Sequence, residues 1–468
     1  MLLIFALLSA ARVAAPPQRI AIVGGGLAGL ATAAHLATDA SLTSLHVYDS
    51  APPGTGGASA VAAGLLHPFT PRSRAIWQGE EGFEASLALL RRVEQHAGSC
   101  STASGLVRLA LTEEKAAELR AAVDAAAATG PAAASLEQRW VTSAEAQLRA
   151  GVDVGGHGAS HAPAAISIDM PHYLRGLWSL CEALADGGGG SVAQWRLGEV
   201  SSLAPLLASG QYDAIVVALG ARSRFLAGCE ELPLTLCRGQ NLLLSNEAGL
   251  RVPLIAGKYL VPVGADGGTL LAGATFEYDS DATVHRPSEP AAAEAALREP
   301  LGGLHRELWA TERVIGCQAG VRALPPRSHH GYVPLAGRLG ASASAASASA
   351  SASASAAAAP SASASAASSA ASSAASSADE RAGESAGESA GESAGESAGR
   401  QADVWFVGGL GSRGLIHHAL MGRAMARAVL RRDEGMLLEH TRRMQPALDA
   451  CVPAQPAAGA GVEAPQHH

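Results

Sequence analysis

Residues 19–36, RIAIVGGGLAGLATAAHL, constrain the fold of this 468-residue chain more than any other stretch. An apolar run leads into Gly24, Gly26 and Gly29, which have the G-x-G-x-x-G spacing and are followed by small residues. This order predicts a strand, a tight turn and a helix. Gly24 permits the turn, Gly26 lets a pyrophosphate approach the backbone, and Gly29 lets the helix lie close to the strand.

A second apolar run, residues 45–48, ends in Asp49, twenty residues beyond Gly29. A carboxylate at this distance can accept hydrogen bonds from the ribose hydroxyls of an adenosine. A glycine-rich loop in an ordinary helix and strand protein would explain the glycines but not Asp49. The sequence therefore predicts a dinucleotide site that includes Gly24, Gly26, Leu27, Ala28, Gly29, Asp49 and Ser50.

Three later segments carry a specific resemblance: GASAVAAGLLHP at residues 57–68, AGVR at residues 319–322 and GLGSRGL at residues 409–415. They resemble the FAD-dependent D-amino-acid oxidase superfamily, in particular the glycine oxidase branch and the oxidase half of the bacterial enzyme that modifies the wobble uridine of tRNA. The resemblance covers residues 19–340 and 404–432. It implies FAD as the cofactor and an α/β fold: a Rossmann-like FAD-binding domain with a second, antiparallel-sheet substrate domain, as in two-domain flavoproteins of the glutathione-reductase type.

The resemblance also implies further contacts with FAD. The first of the three segments, residues 57–68, would run beside the ribityl chain and the flavin and contribute Ala58, Ser59, Ala63, Gly64 and Leu65. Taken alone, this segment fits a Gly and Ala loop equally well. Val200 and Gly220 would lie at the adenosine end. The second glycine-rich turn would bring backbone amides at a helix N-terminus to the flavin, through Gly409, Gly411, Ser412, Arg413, Gly414 and Leu415.

Arg322 is the residue that the resemblance implies as the clamp for a substrate carboxylate. A guanidinium offers two parallel N–H donors that match a carboxylate, and it keeps its charge near neutral pH. A pair with an internal acid is the alternative for Arg322, and Arg327 and Arg338 compete for its role. Tyr259 is a second catalytic candidate because family members place polar aromatic side chains above the flavin. An edge tyrosine that packs its ring fits the sequence equally well.

By this resemblance, the chain oxidises the C–N bond of a small amino acid or secondary amine by hydride transfer to flavin N5, with oxygen as the acceptor. Three alternatives stay open: an oxidase acting on carboxymethylaminomethyl-uridine in tRNA, a dehydrogenase that reduces a quinone or a protein, and a flavin-binding protein with no amine oxidase activity. The net charge is −8, and residues 379–400 contribute half of it. Positive and negative charges nearly balance in the rest of the chain. This balance gives no support to a nucleic-acid-binding surface, although it leaves a local basic patch open.

The six cysteines are scattered without a C-x-x-C pair, so we expect neither a disulfide framework nor a metal site. Residues 1–15 begin MLLIFALLS and contain one arginine and no acid, which is typical of a leader for a plastid, a mitochondrion or the secretory route. The alternative is an N-terminal extension ahead of the first strand that has no targeting role. No uninterrupted apolar stretch reaches the roughly 18 residues that span a bilayer.

The domain organisation follows from these assignments. Residues 341–401 are Ala, Ser and AGES repeats without aromatic or branched apolar side chains, which predicts a disordered insertion. We expect a leader at 1–18, the FAD-binding domain at 19–104, 166–230, 322–340 and 402–432, the substrate domain at 105–165 and 231–321, and a short helix with a flexible tail at 433–468.

Overall fold

A computed structural model describes residues 15–128, 136–187, 191–264, 266–278, 287–340 and 401–451. Residues 1–14 of the leader, residues 341–400 of the insertion and residues 452–468 of the tail lie outside the described residues. The predictions made for those segments stay predictions. Among the described helices, none combines the length and the apolar character needed to cross a bilayer.

The described strands, in chain order, are β1 (Arg19–Val23), β2 (Ser44–Asp49), β3 (Leu65–Leu66), β4 (Ser101–Leu109), β5 (Arg139–Val141), β6 (Ala159–Ile168), β7 (Val192–Leu197), β8 (Ala214–Val217), β9 (Thr235–Ser245), β10 (Leu254–Ala256), β11 (Lys258–Val263), β12 (Thr269–Gly273), β13 (Val314–Leu324), β14 (Arg327–Ser328), β15 (Gly331–Tyr332), β16 (Leu335–Arg338) and β17 (Asp403–Gly408).

The described α-helices are α1 (Leu27–Leu36), α2 (Gly57–Ala60), α3 (Gly79–Ala97), α4 (Glu113–Ala128), α5 (Ser143–Ala150), α6 (Met170–Gly187), α7 (Ala204–Ala208), α8 (Pro290–Gly302), α9 (Leu308–Thr311), α10 (Gly414–Arg431) and α11 (Gln445–Ala450). Short 3₁₀ helices span Gly220–Phe225, Gly411–Arg413 and Glu434–Met436.

Within the described residues, two large sheets organise these elements. The six-stranded sheet has the order β16-β17-β8-β1-β2-β7, with parallel pairing except between β16 and β17. The nine-stranded sheet has the order β13-β9-β12-β11-β10-β4-β6-β3, with β5 paired to β6. Its pairs are antiparallel except β4 with β10. This architecture confirms the predicted fold class of a Rossmann-like domain with a second, antiparallel-sheet domain.

The chain enters each sheet several times. Segments assigned to the FAD-binding domain supply the six-stranded sheet, and segments assigned to the substrate domain supply most of the nine-stranded sheet. Four short pieces differ from this assignment: β3, the start of β4 (101–104), the end of β6 (166–168) and the end of β13 (322–324). All four belong to the nine-stranded sheet, although the sequence placed them in the FAD-binding domain. Two-residue pairings and strand ends of this kind depend on distant partners, which local sequence patterns do not report.

The centre of the six-stranded sheet explains why the first motif folds as it does. In β1, the run from Ile20 to Val23 is fully buried, as expected for a parallel strand covered on both faces. Its helix, α1, is buried along nearly its whole length and packs against α10. At that crossing a Cβ on Gly422 would lie 2.6 Å from the backbone carbon of Ala31. Only glycine therefore lets the two helices approach this closely.

We expect Gly422→Ala to lower the free energy of unfolding by roughly 1–3 kcal/mol, the range for an overpacked core. The added methyl group would meet the backbone of α1 rather than a flexible side chain that could move aside. Thermal unfolding of the two proteins tests this. Gly187→Ala is the matched control because a Cβ there meets nothing within 4 Å. Equal losses in both variants would contradict the close approach of α1 and α10.

Candidate active site

A cavity of about 880 Å³ is lined by residues from both large sheets. Its volume lies in the upper part of the range for ligand pockets, roughly 300–1,000 Å³. The structure brings nearly all of the sequence-predicted site residues to this one cavity: Gly24, Gly26, Leu27, Ala28, Asp49, Ser50, Ala58, Ser59, Ala63, Gly64, Leu65, Val200, Gly220, Tyr259, Arg322, Gly409, Gly411, Ser412, Arg413, Gly414 and Leu415. Gly29 is the predicted site residue that does not line it.

The turn between β1 and α1 shows why its glycines are required. Gly24 has a φ of +114°, and a Cβ there would lie 2.3 Å from the carbonyl oxygen of Ala218 in the neighbouring chain segment. A Cβ on Gly29 would lie 1.8 Å from the carbonyl oxygen of Gly24. Gly29 therefore sets the helix against the turn, as the sequence predicts, and stays behind the cavity wall.

Asp49 holds this turn in place while it lines the cavity. One carboxylate oxygen accepts a hydrogen bond from the backbone N–H of Gly25 at 2.7 Å, and the other accepts from Ala51 at 2.9 Å. Each carboxylate oxygen has more than one acceptor position, so both keep capacity toward a ribose. The carboxylate thus has a structural role that the sequence did not predict, beside the ribose contact that it did.

The second glycine-rich turn reaches the same cavity from the other end of the chain. It follows β17 through the 3₁₀ turn Gly411–Arg413 into α10. Gly409 and Gly411 have φ values of +65° and +57°, which favour glycine. The first N–H groups of a helix have no partner within the helix, and they carry the positive end of its dipole. The N-terminal ends of α1 and α10 therefore present two donor-rich helix tips to one cavity, which fits an extended dinucleotide with negative charge.

Arg322 lies on β13 in the wall of the same cavity. Its Nη1 is buried and has no hydrogen-bond partner among the described residues. Its guanidinium carbon lies 5.0 Å from the ring centroid of Phe276, and a Cβ on Gly239 would lie 2.6 Å from its Nη2. No described acid pairs with Arg322, which removes the reason to treat it as half of an internal ion pair. A buried donor without a partner costs free energy, so this guanidinium is poised for an anion.

The two competing arginines are placed elsewhere. Arg327 is exposed and does not line the cavity. Arg338 stacks on Trp405 at 4.6 Å and donates a hydrogen bond to the carbonyl oxygen of Arg432 at 2.8 Å. Both positions leave Arg322 as the member of the three that faces the cavity.

Tyr259 on β11 lies beside Arg322 in the cavity wall. Its hydroxyl donates a hydrogen bond to the side-chain oxygen of Asn241 at 2.7 Å, and the Asn241 amide donates to the carbonyl oxygen of Val61 at 2.8 Å. Burial raises the pKa of Tyr259 to about 12, against the opposing effect of the Arg322 charge. The hydroxyl therefore stays protonated at neutral pH. Through Asn241 it links this wall of the cavity to the segment that follows α2.

Tyr259→Phe should lower kcat/KM for a reaction in this cavity by roughly 3- to 10-fold, the loss expected for one neutral hydrogen bond of about 1 kcal/mol. The ring keeps its packing, but Asn241 loses its donor and can turn away from Val61. Steady-state kinetics checks this result. Tyr173→Phe is the control, since Tyr173 hydrogen-bonds His418 at 2.7 Å and neither residue lines the cavity. A Tyr259→Phe variant with unchanged kinetics would assign Tyr259 to packing alone.

The sequence reasoning missed many of the cavity residues, and among them are His67, Arg108 and Lys258. Arg108 interrupts the apolar run of β4, and this charge within a buried strand was the available signal. Burial, with Arg108 and Arg413 nearby, lowers the pKa of His67 to about 3, so its ring stays neutral. Lys258 donates a hydrogen bond to the carbonyl oxygen of Ala274 at 2.6 Å. Away from the cavity, His329, His330 and His440 bring ring nitrogens within 4.8 Å of one another.

Comparison with known proteins places this geometry among flavoproteins. The model of the protein family described as FAD dependent oxidoreductase matches residues 19–428. A tRNA 5-methylaminomethyl-2-thiouridine biosynthesis bifunctional protein from Burkholderia orbicola is 31% identical over 304 residues. That match covers 61% of this chain and 44% of the relative, so the chain spans less than half of the relative's length.

Solved structures share the fold at low identity. Glycine oxidase from Geobacillus kaustophilus superposes with a TM-score of 0.60 and 19% identity, covering 90% of this chain and 97% of that chain. L-proline dehydrogenase from P. horikoshii superposes with a TM-score of 0.62 and 13% identity, covering 92% and 99%. At these identities the likeness shows the fold alone.

Proposed function

This chain belongs to the FAD dependent oxidoreductase family, and from that premise we propose that it oxidises the C–N bond of a small amino acid or secondary amine, with oxygen as the electron acceptor. The observation that carries the proposal is the unpartnered Nη1 of Arg322, in the cavity that both helix tips reach. A guanidinium there can bind a substrate carboxylate through two parallel hydrogen bonds. Fixing the carboxylate fixes the carbon that bears the nitrogen.

The residues present fit FAD, because the cavity joins the tip of α1, the segment after α2 and the tip of α10. In the proposed assignment the turn at Gly24 and Gly26, with Asp49, holds the adenosine diphosphate half. Ala58 to Leu65 and the turn before α10 hold the flavin half. Bound FAD supplies the chemistry of this family by accepting a hydride from the carbon next to the substrate nitrogen.

The chain's own groups then have to orient and enclose the amine. Arg322 sets the position of the substrate relative to the cofactor, which replaces a bimolecular encounter with a fixed geometry. Tyr259 remains protonated and His67 remains neutral at physiological pH, and His67 already accepts a hydrogen bond from the Phe69 N–H at 3.2 Å. A substrate whose amine arrives neutral needs no base from these side chains.

Anaerobic titration of the purified holoenzyme tests the proposal directly. Glycine, sarcosine, proline and D-alanine are each added while the flavin absorbance near 450 nm, where oxidised flavins absorb, is recorded. We expect at least one of them to bleach the flavin, and readmitted air to restore the colour with release of peroxide. Bleaching without peroxide would instead favour a dehydrogenase that uses a quinone or a protein acceptor. Retained flavin that no amine bleaches would favour a binding protein without amine oxidase activity.

A second candidate is oxidation of a carboxymethylaminomethyl group on tRNA. The identity of 31% to a tRNA 5-methylaminomethyl-2-thiouridine biosynthesis protein favours it, and that substrate group also ends in a carboxylate that Arg322 could bind. Filter binding with unfractionated tRNA separates the two candidates. Retention of tRNA at physiological salt, lost when the salt is raised, would support the tRNA substrate.

A further inference from the structure

Cationic side chains dominate one part of the cavity. Among the described lining residues, Arg108, Lys258 and Arg322 project from the nine-stranded sheet, and Arg413 comes from the turn before α10. The carboxylates among those lining residues are Asp49 and Glu199. Asp49 is engaged with the turn after β1, and Glu199 pairs with Arg222 at 2.9 Å. The substrate wall therefore carries more positive charge than one carboxylate would balance.

Arg108 is the least expected of these cations. It lies on β4, an interior strand of the nine-stranded sheet, and is only 6% exposed. Within the described part of the chain its side chain has no hydrogen bond and no ion pair, although it lines the cavity. Burial lowers its pKa to about 10, which still leaves it charged at neutral pH. Burying an unpaired charge is costly, and an anion bound in the cavity would offset that cost.

The strand register places Arg108 on the same face as the residues around Arg322. Arg108 on β4 is opposite Ile255 on β10, and Ile255 is opposite Tyr259 on β11. Residues opposite one another on adjacent strands point to the same face of a sheet. Strands are spaced by about 4.8 Å, so the Cα atoms of Arg108 and Tyr259 are about 10 Å apart. Arg322 lies beside Tyr259, so the two arginines and the tyrosine line one wall of the same cavity.

We propose that Arg108 binds a second anionic group of the substrate, so that the preferred substrate is an amine with a carboxylate on one side of the nitrogen and a carboxylate or a phosphorus oxyanion on the other. This inference rests on the proposed function of the same cavity. Arg322 takes the carboxylate next to the carbon that is oxidised. Arg108 takes the group on the other nitrogen substituent, and the spacing of the two guanidinium groups limits how long the bridge between the two anionic groups can be.

Three substrates with one skeleton test the inference: sarcosine, iminodiacetate and N-(phosphonomethyl)glycine. They differ at the second nitrogen substituent, which is uncharged, a carboxymethyl or a phosphonomethyl group. We expect Arg108→Gln to lower the ratio of kcat/KM for a dianionic substrate to kcat/KM for sarcosine by roughly 10- to 100-fold, the loss for a hydrogen bond to a charged group. Arg108→Lys should restore part of the ratio. The substrate with the larger loss identifies the anion as a carboxylate or a phosphorus oxyanion.

Arg327→Gln is the matched control, since it removes the same charge from an exposed arginine outside the cavity. Its selectivity ratio should stay that of the unmodified enzyme. A ratio that Arg108→Gln leaves unchanged, or that Arg327→Gln lowers equally, would overturn the inference. Arg108→Met supplies a second variant without the buried charge, and we expect its thermal unfolding midpoint to equal or exceed that of the unmodified protein.

Equilibrium binding separates this inference from the proposed function. Thiodiacetate and (methylthio)acetate have sulfur in place of the nitrogen, so they carry no amine to oxidise. Calorimetric titration of the holoenzyme should show tighter binding of thiodiacetate, with the difference lost in Arg108→Gln. If no amine reduced the flavin, the proposed function would be wrong, and the difference in affinity between the two thioethers would still test the role of Arg108. Equal affinity for the two thioethers in the unmodified protein would overturn the role of Arg108 even if sarcosine were oxidised.

Discussion

Arg322→Gln should lower kcat/KM for the proposed amine substrate by roughly 100- to 1,000-fold. Removing one partner of a buried, hydrogen-bonded charge pair costs about 2–5 kcal/mol, and each 1.4 kcal/mol is a factor of ten. The substrate carboxylate would then face a wall without its two parallel donors. Since the carboxylate also sets the orientation of the reacting carbon, both an increase in KM and a decrease in kcat are expected.

Rapid-reaction measurement of flavin reduction under anaerobic conditions checks this prediction without interference from reoxidation. Arg322→Lys keeps the charge but loses the two parallel donors. Its rate of flavin reduction should therefore lie between those of the unmodified protein and Arg322→Gln. Arg327→Gln again serves as the control with an equal change in charge. Retention of FAD by each variant, read from the ratio of flavin to protein absorbance, shows that the cofactor site is intact. A near-normal rate of flavin reduction in Arg322→Gln would show that Arg322 does not bind the substrate carboxylate, and another residue would have to bind it.

The local motifs could be predicted from the sequence because their chemistry depends on neighbouring residues. The turn after β1 needs Gly24 for a left-handed φ and Gly29 for a close helix, and both requirements appear as fixed spacings. The turn before α10 is of the same kind. The family resemblance of the segments around these turns indicated a two-domain flavoprotein, which the two sheets and the family match confirm.

The cavity wall that contains Arg108, Tyr259 and Arg322 could not be predicted in the same way. Arg108, Tyr259 and Arg322 are far apart in sequence, and the order of strands in the nine-stranded sheet brings them together. A shift of one residue in the register of β4 or β11 would turn their side chains to the opposite face. Local alternation of apolar and polar residues identifies the strands but not their partners. The isolated charge in β4 was visible, but its purpose depends on a neighbour more than one hundred residues later.

The choice among Arg322, Arg327 and Arg338 shows the same limit at a smaller scale. The three lie within one short segment, and each offers the same functional group. β13 ends at Leu324, and β16 begins at Leu335 in the other large sheet. Arg322 therefore lies on a strand of the cavity wall, whereas Arg327 and Arg338 follow the end of that strand and do not line the cavity. The strand boundary, rather than the side-chain chemistry, selects the arginine that can reach the cavity.

Gly29→Ala should weaken the binding of FAD by roughly 10- to 100-fold and lower the thermal unfolding midpoint. The added Cβ would lie 1.8 Å from the carbonyl oxygen of Gly24, a separation that non-bonded atoms do not reach. The turn cannot retreat, because Gly24 itself lies too close to the carbonyl of Ala218 for even a Cβ to fit. The helix cannot retreat freely either, because its other side packs on Gly422. An overpacked site of this kind costs about 1–3 kcal/mol, which corresponds to the loss stated.

This substitution separates a structural glycine from a cofactor contact, because Gly29 does not line the cavity and its methyl group cannot touch FAD directly. Weaker binding would therefore come from displacement of the α1 tip. Flavin content after purification and titration of the apoprotein with FAD measure the effect, and thermal unfolding with and without FAD measures the strain. Gly302→Ala is the control, since a Cβ there has only ordinary contacts at 3.7 Å with Trp309, remote from the cavity. If Gly29→Ala bound FAD as tightly as the control, the α1 tip would tolerate displacement, and the site would depend on the second turn and the nine-stranded sheet.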